Sequence, residues 1–141
     1  MNDNPVKGSC FCGRAAFEYD GLPSGVIHCH CGMCRRLSGA AFTTWISIPK
    51  QNFRLLSSGT LKKFSLSNNA VRNFCSECGT HVFTEDARYP DVIAIPAGVV
   101  AGALQRKIDG HYFVSDKAEW HIIGDELPQF GGETGFERIS V

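Results

Sequence analysis

Seven cysteines in a chain of 141 residues constrain its fold more than any other feature of the sequence. They fall into three groups, which are Cys10 and Cys12, then Cys29, Cys31 and Cys34, then Cys75 and Cys78. An odd number of cysteines argues against a complete set of disulfide bonds. Where thiols stay reduced, clustered cysteines are more often metal ligands or catalytic groups. The pattern therefore predicts a zinc protein.

The two outer groups have the spacing of paired zinc ligands. Residues two apart in a strand share a face, so Cys10 and Cys12 can point at one metal ion. The turn from Cys75 to Cys78 brings two thiolates to one ion by curling around it, and Gly79 can take a positive φ there. Tetrahedral zinc with four thiolates at ~2.3 Å is the commonest product of two such pairs. Spacing alone does not decide whether Cys10 and Cys12 or two members of the middle group complete the site.

Three cysteines are left over with either pairing, and they admit three interpretations. Free cysteines are often buried as small apolar residues, but three within six positions make that interpretation weak. A second structural zinc would need a fourth ligand from His28, His30, His81 or His111. A three-ligand zinc with an open position is the hallmark of catalytic sites. In a regular strand His30 points away from its two cysteine neighbours, so it is the least suitable fourth ligand.

Net charge and the N-terminal sequence limit the partners and the compartment. The 14 basic and 14 acidic residues balance, and no basic stretch resembles the footprint of a nucleic-acid-binding protein. The first residues have neither a basic start nor an apolar stretch, so we expect no signal peptide and no transmembrane helix. We therefore expect a cytoplasmic protein without a nucleic-acid or membrane partner.

Hydrophobic periodicity favours an all-β fold. Apolar and polar residues alternate over short stretches, and in 15–19, for example, Phe17 and Tyr19 share one face. Similar stretches predict strands at 26–31, 42–48, 53–56, 61–66, 71–74, 81–84, 92–95, 111–114 and 120–123. The best helical candidate runs only from Met33 to Leu37, and the glycine-rich stretch 131–135 is expected to form a loose tail. With no linker or repeat visible, we expect a single domain over 1–141.

The cysteine groups and their flanking residues resemble a known family. The motifs are Gly-Ser-Cys-Phe-Cys-Gly at 8–13, Cys-His-Cys-Gly-Met-Cys-Arg at 29–35, Ser-Gly-Ala-Ala-Phe at 38–42, Phe-Cys-Ser-Glu-Cys-Gly-Thr at 74–80 and Val-Ser-Asp-Lys-Ala-Glu-Trp at 114–120. In order and spacing they resemble the glutathione-dependent formaldehyde-activating enzyme family, which also includes centromere protein V. The resemblance spans a core from about Gly8 to Pro128.

This resemblance implies a fold, a cofactor and a reaction. The fold is the Mss4-like β-tent, an all-β zinc domain with little helix. Two zinc ions per chain are implied, a structural one on Cys10, Cys12, Cys75 and Cys78 and a second one on Cys29, Cys31 and Cys34, which would be the catalytic residues. The family's founding activity joins glutathione and formaldehyde into S-hydroxymethylglutathione, and it is classed as a carbon–sulfur lyase in the reverse direction.

Side chains near the middle group suit a glutathione substrate. A coordinating thiol is deprotonated by its metal, whereas a free cysteine thiol has a pKa of ~8.5. A guanidinium fork matches a carboxylate, so Arg35 is the candidate glutathione contact. The alternative is that Arg35 braces the short helix through backbone carbonyls, and Arg36 is expected in solvent. The proton that the new alkoxide needs would come from water or from His28, His30 or His81.

Two other functions compete with this one. The chromatin-associated relative suggests a zinc module that binds other macromolecules without catalysis, but zero net charge argues against nucleic acid. A thiol redox protein built on Cys31 and Cys34 is disfavoured by the extra Cys29 and by the missing βαβ pattern. Trp45 and Trp120 are expected in the core or in a pocket wall rather than in a specific contact.

Overall fold

The computed structural model describes residues 4–66 and 69–140. The chain divides into two compact units. The first comprises Met1–Ser24 and Ile46–Arg106, and the second comprises Gly25–Trp45 and Lys107–Val141. The single domain over 1–141 that the sequence suggests stays a prediction.

Strands dominate the secondary structure, so the predicted all-β fold with little helix is confirmed. In chain order the elements are β1 (Val6–Ser9), β2 (Ala16–Tyr19), β3 (Gly25–Cys29), α1 (Gly32–Ser38), β4 (Thr43–Pro49), β5 (Phe53–Ser57), β6 (Leu61–Leu66), β7 (Ala70–Cys75), β8 (His81–Asp86), β9 (Val92–Pro96), β10 (Gly110–Tyr112), β11 (Gln129–Gly131) and β12 (Glu137–Ile139). Short 3₁₀ turns span Lys50–Asn52, Ala97–Val99 and Val114–Asp116. In the described part of the chain, no helix has the length and apolar character that crossing a membrane requires.

The first unit contains a three-stranded antiparallel sheet in the order β1-β2-β5. Its inner face follows from the alternation in β2, where Phe17 and Tyr19 are both fully buried. Gly8 of β1 lies opposite Phe17, and the absence of a side chain there leaves room for the aromatic ring. Phe17 also packs on Phe53 of β5, with ring centroids 5.4 Å apart.

The same unit contains the strands β4, β9, β8, β7 and β6, which are neighbours in that order. Residues 46–49 of β4 belong to this unit, and the alternation in β4 buries Ile46 and Ile48 completely. The buried core of the unit consists of Cys10, Ala15, Phe17, Tyr19, Ile46, Ile48, Cys75, Val82, Phe83, Ile93 and Ile95. Cysteines from the two outer groups are therefore part of this core.

The second unit is built on very short strands in the order β12-β11-β10-β3-β4, with residues 43–45 of β4. β10 runs parallel to both β3 and β11, whereas β11 and β12 form an antiparallel hairpin. The predicted helix is confirmed as α1, seven residues long. Cys31 caps its N-terminus with Sγ, and Gly39 ends it at a φ of 69°, with its N–H on the carbonyl of Arg35.

Nine of the ten predicted strands are present, but the strand predicted at 120–123 is wrong. The stretch 117–128 has no regular structure. Lys117 donates from Nζ to the carbonyls of Ala118 and His121, which holds the segment as a loop. The apolar side chains that suggested a strand, Trp120 and Ile122, are 71% and 85% exposed.

The loose tail expected at 131–135 is also wrong. Gly131 ends β11, and the glycines at 132 and 135 take φ values of 73° and 82° in the turn that leads to β12. Phe136 then packs against the rings of Tyr112 and Phe113, at 5.4 and 5.3 Å between centroids. The glycines at 132 and 135 are therefore needed for the positive φ values of an ordered turn.

Two strands end earlier than the hydrophobic pattern suggests. The strand predicted at 26–31 stops at Cys29, because Cys31 becomes the N-cap of α1. The strand predicted at 111–114 stops at Tyr112, because Phe113 takes the left-handed conformation with a φ of 59° and a 3₁₀ turn follows.

The contact between Gly8 and Phe17 generates a stability prediction. A Cβ at position 8 would overlap the Phe17 ring, lying 2.8 Å from each Cε atom, and the buried ring has nowhere to move. We expect Gly8→Ala to lower the free energy of unfolding by about 1–3 kcal/mol. Urea denaturation measures this change.

The matched control is Gly59→Ala, since a Cβ at position 59 meets nothing within 4 Å. We expect the control to change the free energy of unfolding by less than about 0.5 kcal/mol. Equal effects of the two substitutions would contradict the packing argument.

Candidate metal centres

The first cluster brings together the four cysteines that the family resemblance pairs. The Sγ atoms of Cys10, Cys12, Cys75 and Cys78 all lie within 4.8 Å of one another. The Cys10–Cys12 distance is 3.6 Å and the Cys12–Cys75 distance is 3.7 Å. Tetrahedral zinc with bonds of ~2.3 Å places its sulfurs about 3.8 Å apart. The sulfur positions therefore fit a closed four-thiolate zinc site.

Two similar turns carry these ligands. The N–H of Gly13 donates to the carbonyl of Cys10 at 3.1 Å, and the N–H of Gly79 donates to the carbonyl of Cys75 at 2.8 Å. Both glycines have a φ of 80°, as expected for Gly79 from the sequence. The N–H of Phe11 also donates to Thr80 Oγ1 at 3.1 Å, which joins the two turns directly.

Hydrogen bonds with two threonines favour the thiolate form of Cys75 and Cys78. The hydrogen bond with the Thr80 hydroxyl lowers the pKa of Cys78 to about 5. Thr60 Oγ1 lies 3.3 Å from the sulfur of Cys75 and lowers the pKa of that thiol in the same way. Both threonines act through their side-chain hydroxyl groups, and cysteine spacing alone gave no sign of Thr60, which lies 15 positions before Cys75.

The second cluster consists of Cys29, Cys31 and Cys34, whose Sγ atoms also lie within 4.8 Å of one another. Cys29 ends β3, Cys31 caps α1 and Cys34 lies in the first turns of that helix. The Cys29–Cys34 sulfur distance is 3.5 Å, and both residues are buried while Cys31 is half-buried. In residues 4–66 and 69–140, no fourth cysteine, histidine or carboxylate joins this group. The donor set fits a three-thiolate metal site.

Hydrogen bonds also shape the charge of the second cluster. The N–H of Cys34 donates to Cys31 Sγ at 3.3 Å, and Trp45 Nε1 donates to Cys34 Sγ at 3.4 Å. Hydrogen bonds with Cys29 and then Cys34 lower the pKa of Cys31, whereas hydrogen bonds with Cys31 and then Cys34, followed by burial, raise the pKa of Cys29. Trp45 therefore makes a specific contact, and the expectation that it makes none is wrong.

The histidines near the second cluster make bonds of their own. His28 lies 2.7 Å from Thr44 Oγ1 through Nδ1. His30 is fully buried and its Nε2 lies 2.8 Å from Nδ1 of His111. Burial, followed by the charge of His111, lowers the pKa of His30 to about 4. None of these rings joins the sulfur group as a ligand within the described residues.

His81 belongs to the first unit and is engaged in a different contact. Arg72 Nη1 lies 3.2 Å from His81 Nδ1, and His81 Nε2 lies 2.7 Å from Thr84 Oγ1. An arginine only donates, so Nδ1 must accept and the ring proton must be on Nε2. Burial and the charge of Arg72 lower the pKa of His81 to about 4.

The two arginines after Cys34 have different surroundings. Arg35 is half-buried, and its Nη1 donates to the carbonyl of Asp116 at 3.0 Å. Its Nε is buried and has no hydrogen-bond partner in the described part of the chain. Arg36 is exposed. The role of Arg35 as a glutathione contact stays a prediction.

The family model for the glutathione-dependent formaldehyde-activating enzyme matches residues 5–116. The chain belongs to this family. The match includes all seven cysteines of both clusters, and it confirms the resemblance drawn from the cysteine motifs.

Individual relatives agree with the family assignment. A protein of Halomonas elongata is 24% identical over 124 residues, which cover 82% of this chain and 78% of the relative. A protein of Aspergillus terreus is 36% identical over 67 residues, which cover 44% of this chain and 35% of the relative. Both carry the name "Putative glutathione-dependent formaldehyde-activating enzyme". A crystal structure of a Rhodobacter sphaeroides protein has the same fold, with a TM-score of 0.60 at 20% identity, covering 72% of this chain and 96% of that one.

The contact between Arg72 and His81 generates a prediction on pH and stability. The pKa of His81 is about 4 in the folded chain against 6.5 for a free histidine, so unfolding takes up a proton between these values. The contribution of neutral His81 is complete above pH 6.5 and is lost as the pH falls toward 4. Relative to His81→Asn, which cannot titrate, we expect the protein to lose about 1.3 kcal/mol between pH 7.5 and 5.5.

The measurement is the free energy of unfolding of both proteins across this range, with zinc present. Any effect of pH on metal binding is common to both proteins and cancels in the difference. A difference that does not change with pH would show that His81 titrates at its ordinary pKa in the folded state.

Proposed function

We propose that this protein is a zinc-dependent carbon–sulfur lyase that condenses a thiol with formaldehyde. Glutathione is the proposed thiol and S-hydroxymethylglutathione the proposed product. Membership of the family supports the reaction class. We also propose a cytoplasmic location, where glutathione keeps thiols reduced.

The three-cysteine group at Cys29, Cys31 and Cys34 is the observation that carries this proposal. Structural zinc sites are closed by four protein ligands, whereas catalytic sites use three and leave one position for water or substrate. The first cluster has four sulfurs and the second has three. This difference supports a structural role for the first cluster and a catalytic role for the second.

The proposed reaction balances without a third reactant. A bond forms between the sulfur of the thiol and the carbon of formaldehyde, and the π bond of the carbonyl breaks. The proton of the thiol ends on the new hydroxyl group, so no electrons pass to an oxidant or reductant. Water and one of His28, His30 and His81 are the proposed carriers of this proton.

The residues of the chain hold and orient the reacting groups. Cys29, Cys31 and Cys34 would hold zinc, which when bound supplies a Lewis acid that lowers the pKa of a substrate thiol. Trp45 donates to Cys34 Sγ, and the Cys34 N–H donates to Cys31 Sγ, so each of these two sulfurs accepts a hydrogen bond that favours its thiolate form and fixes its position. Cys29 and Cys34 are buried, which leaves Cys31 as the most accessible side of the cluster.

Arg35 is the proposed contact for a carboxylate of glutathione. Its guanidinium carries five N–H donors, and the bond to Asp116 uses only one nitrogen, Nη1. Arg35 follows Cys34 in α1, so this bond also fixes the Arg35 side chain close to the second cluster in the sequence. A guanidinium that is already held loses little freedom when it binds an anion.

Glutathione binding tests the proposal directly. We expect the zinc-loaded protein to bind about one equivalent of glutathione by calorimetry, and a Cys29→Ser/Cys31→Ser/Cys34→Ser variant to bind none while it keeps one zinc. The reason is that the glutathione sulfur has no metal to bind once the second zinc is lost. With binding established, formaldehyde turnover should follow the same pattern. A wild-type protein that holds two zincs and ignores glutathione would rule out glutathione as the substrate.

The role of Arg35 is tested in the same titration. Arg35→Gln keeps a donor for the Asp116 carbonyl but removes the charge, so we expect the Kd of glutathione to rise about tenfold, or ~1.4 kcal/mol. Arg36→Gln is the matched control, since this neighbouring arginine is exposed. Equal Kd values for both variants and the wild type would remove Arg35 from the binding site.

A further inference from the structure

A hydrogen-bonded chain of three side chains runs through the second unit from its surface to its interior. Both carboxylate oxygens of Asp125 lie 3.0–3.1 Å from His111 Nε2, and His111 Nδ1 lies 2.8 Å from His30 Nε2. The Asp125 side chain is 46% exposed, whereas His111 and His30 are 1% and 0% exposed. A buried polar group without a hydrogen-bond partner destabilises the folded state, so each bond of such a network contributes to stability.

The chemistry of the three groups fixes where the protons are. A carboxylate only accepts, so His111 Nε2 must donate to Asp125. When the His111 ring is neutral its other nitrogen is an acceptor, so in this form His30 Nε2 donates to His111 Nδ1. The chain therefore ends on His30 Nδ1, a buried acceptor for which the described residues supply no hydrogen-bond partner.

The position of His30 connects this chain to the second cluster. His30 lies between Cys29 and Cys31, and its backbone N–H donates to the carbonyl of Tyr112 at 2.9 Å. Tyr112 follows His111 in β10 and is paired with Cys29 of β3. The ring and the backbone of His30 are thus both bonded to β10.

The acidic end of the chain is fixed by its own segment. The N–H of Leu127 donates to Asp125 Oδ1 at 3.0 Å, and the N–H of His111 donates to the carbonyl of Pro128 at 2.9 Å. Three separate stretches of the second unit, around residues 30, 111 and 125, are therefore joined by one continuous set of bonds. Removal of Asp125 would release the end of that set.

We propose that Asp125 and His111 are positioning residues for the second cysteine cluster. Through the ring of His30 they hold the Cys29–Cys31 segment in the geometry that binds metal. This inference rests on the proposed function, since it takes the second cluster to be a zinc site. Outer-shell partners of metal ligands typically change metal affinity about 10–100-fold when they are removed.

The rate of zinc release tests this proposal. Zinc-loaded wild type, Asp125→Ala, Asp125→Asn and Glu126→Ala are each mixed with an excess of a chromophoric chelator, and the transfer of zinc is followed. The Cys29→Ser/Cys31→Ser/Cys34→Ser variant gives the release from the first cluster alone, so the two sites are told apart. Glu126 is the matched control, because it is a neighbouring exposed carboxylate.

We expect Asp125→Ala to release zinc from the second cluster about tenfold faster than wild type, with the first cluster unchanged. Asp125→Asn keeps an oxygen that can accept from His111 and from Leu127, so it should stay within about twofold of wild type. Glu126→Ala should match the wild type. Unchanged release from the first cluster shows that the first unit has remained folded, and Asp125→Asn controls for the folding of the second unit.

Three results would overturn the inference. Equal release from Asp125→Ala and wild type, with two zincs in each, would overturn it alone and leave the proposed function standing. Equal losses in Asp125→Ala and Asp125→Asn would show that the accepting oxygen is not what matters. A wild-type protein that holds only the first zinc would overturn both this inference and the proposed function.

The positions of the protons give a second readout, which tests the hydrogen-bonded chain directly. Nitrogen-15 spectra of the histidine side chains should show both His111 and His30 protonated on Nε2 in the wild type. In Asp125→Ala the His111 ring should lose its preference for one nitrogen. A wild-type spectrum with His111 protonated on Nδ1 would contradict the chain as assigned.

Discussion

The four sulfurs of the first cluster join two turns that lie far apart in the sequence, and the first unit depends on this junction. Cys12 and Cys75 are 63 residues apart, yet their sulfurs are 3.7 Å from each other. Closing a loop of this length costs chain entropy, which a metal bound only in the folded state can offset. Cys10 and Cys75 are also members of the buried core, so ligand geometry and core packing fix the same residues.

The two clusters use the same residue type under different constraints. In the first, two similar turns face each other, each with a glycine at a φ of 80°, and four thiolates result. In the second, a strand end and a helix cap place Cys29 and Cys31, and the helix itself supplies Cys34. This continuous segment of six residues provides three ligands and leaves no local residue for a fourth. The difference in ligand number therefore follows from how the backbone presents the sulfurs.

The grouping of the cysteines as candidate metal ligands could be predicted from sequence because the spacing within each group is local. The strands could be predicted because the alternation of apolar and polar residues is also local. Phe17 and Tyr19 are buried on the face that the alternation indicates. The contacts of His111 and Asp125 could not be predicted, since they join residues 81 and 14 positions apart with no periodic signal. The strand predicted at 120–123 failed for a related reason, because the bonds of Lys117 to nearby carbonyls override the apolar pattern.

Stability and chemistry are coupled more closely in the second unit than in the first. Its described apolar residues that are buried are few, namely Val26, Cys29, Cys34 and Ala118, and as many polar residues are buried in the same unit, namely His30, Thr43, His111 and Gln129. Its strands β10, β11 and β12 have three residues each, and the parallel pairs among them are slightly weaker per residue than antiparallel ones. Polar rings and thiols thus take the place that aliphatic side chains occupy in the first unit. Two of the cysteines that would hold metal, Cys29 and Cys34, are thus also among the few buried apolar side chains of this unit.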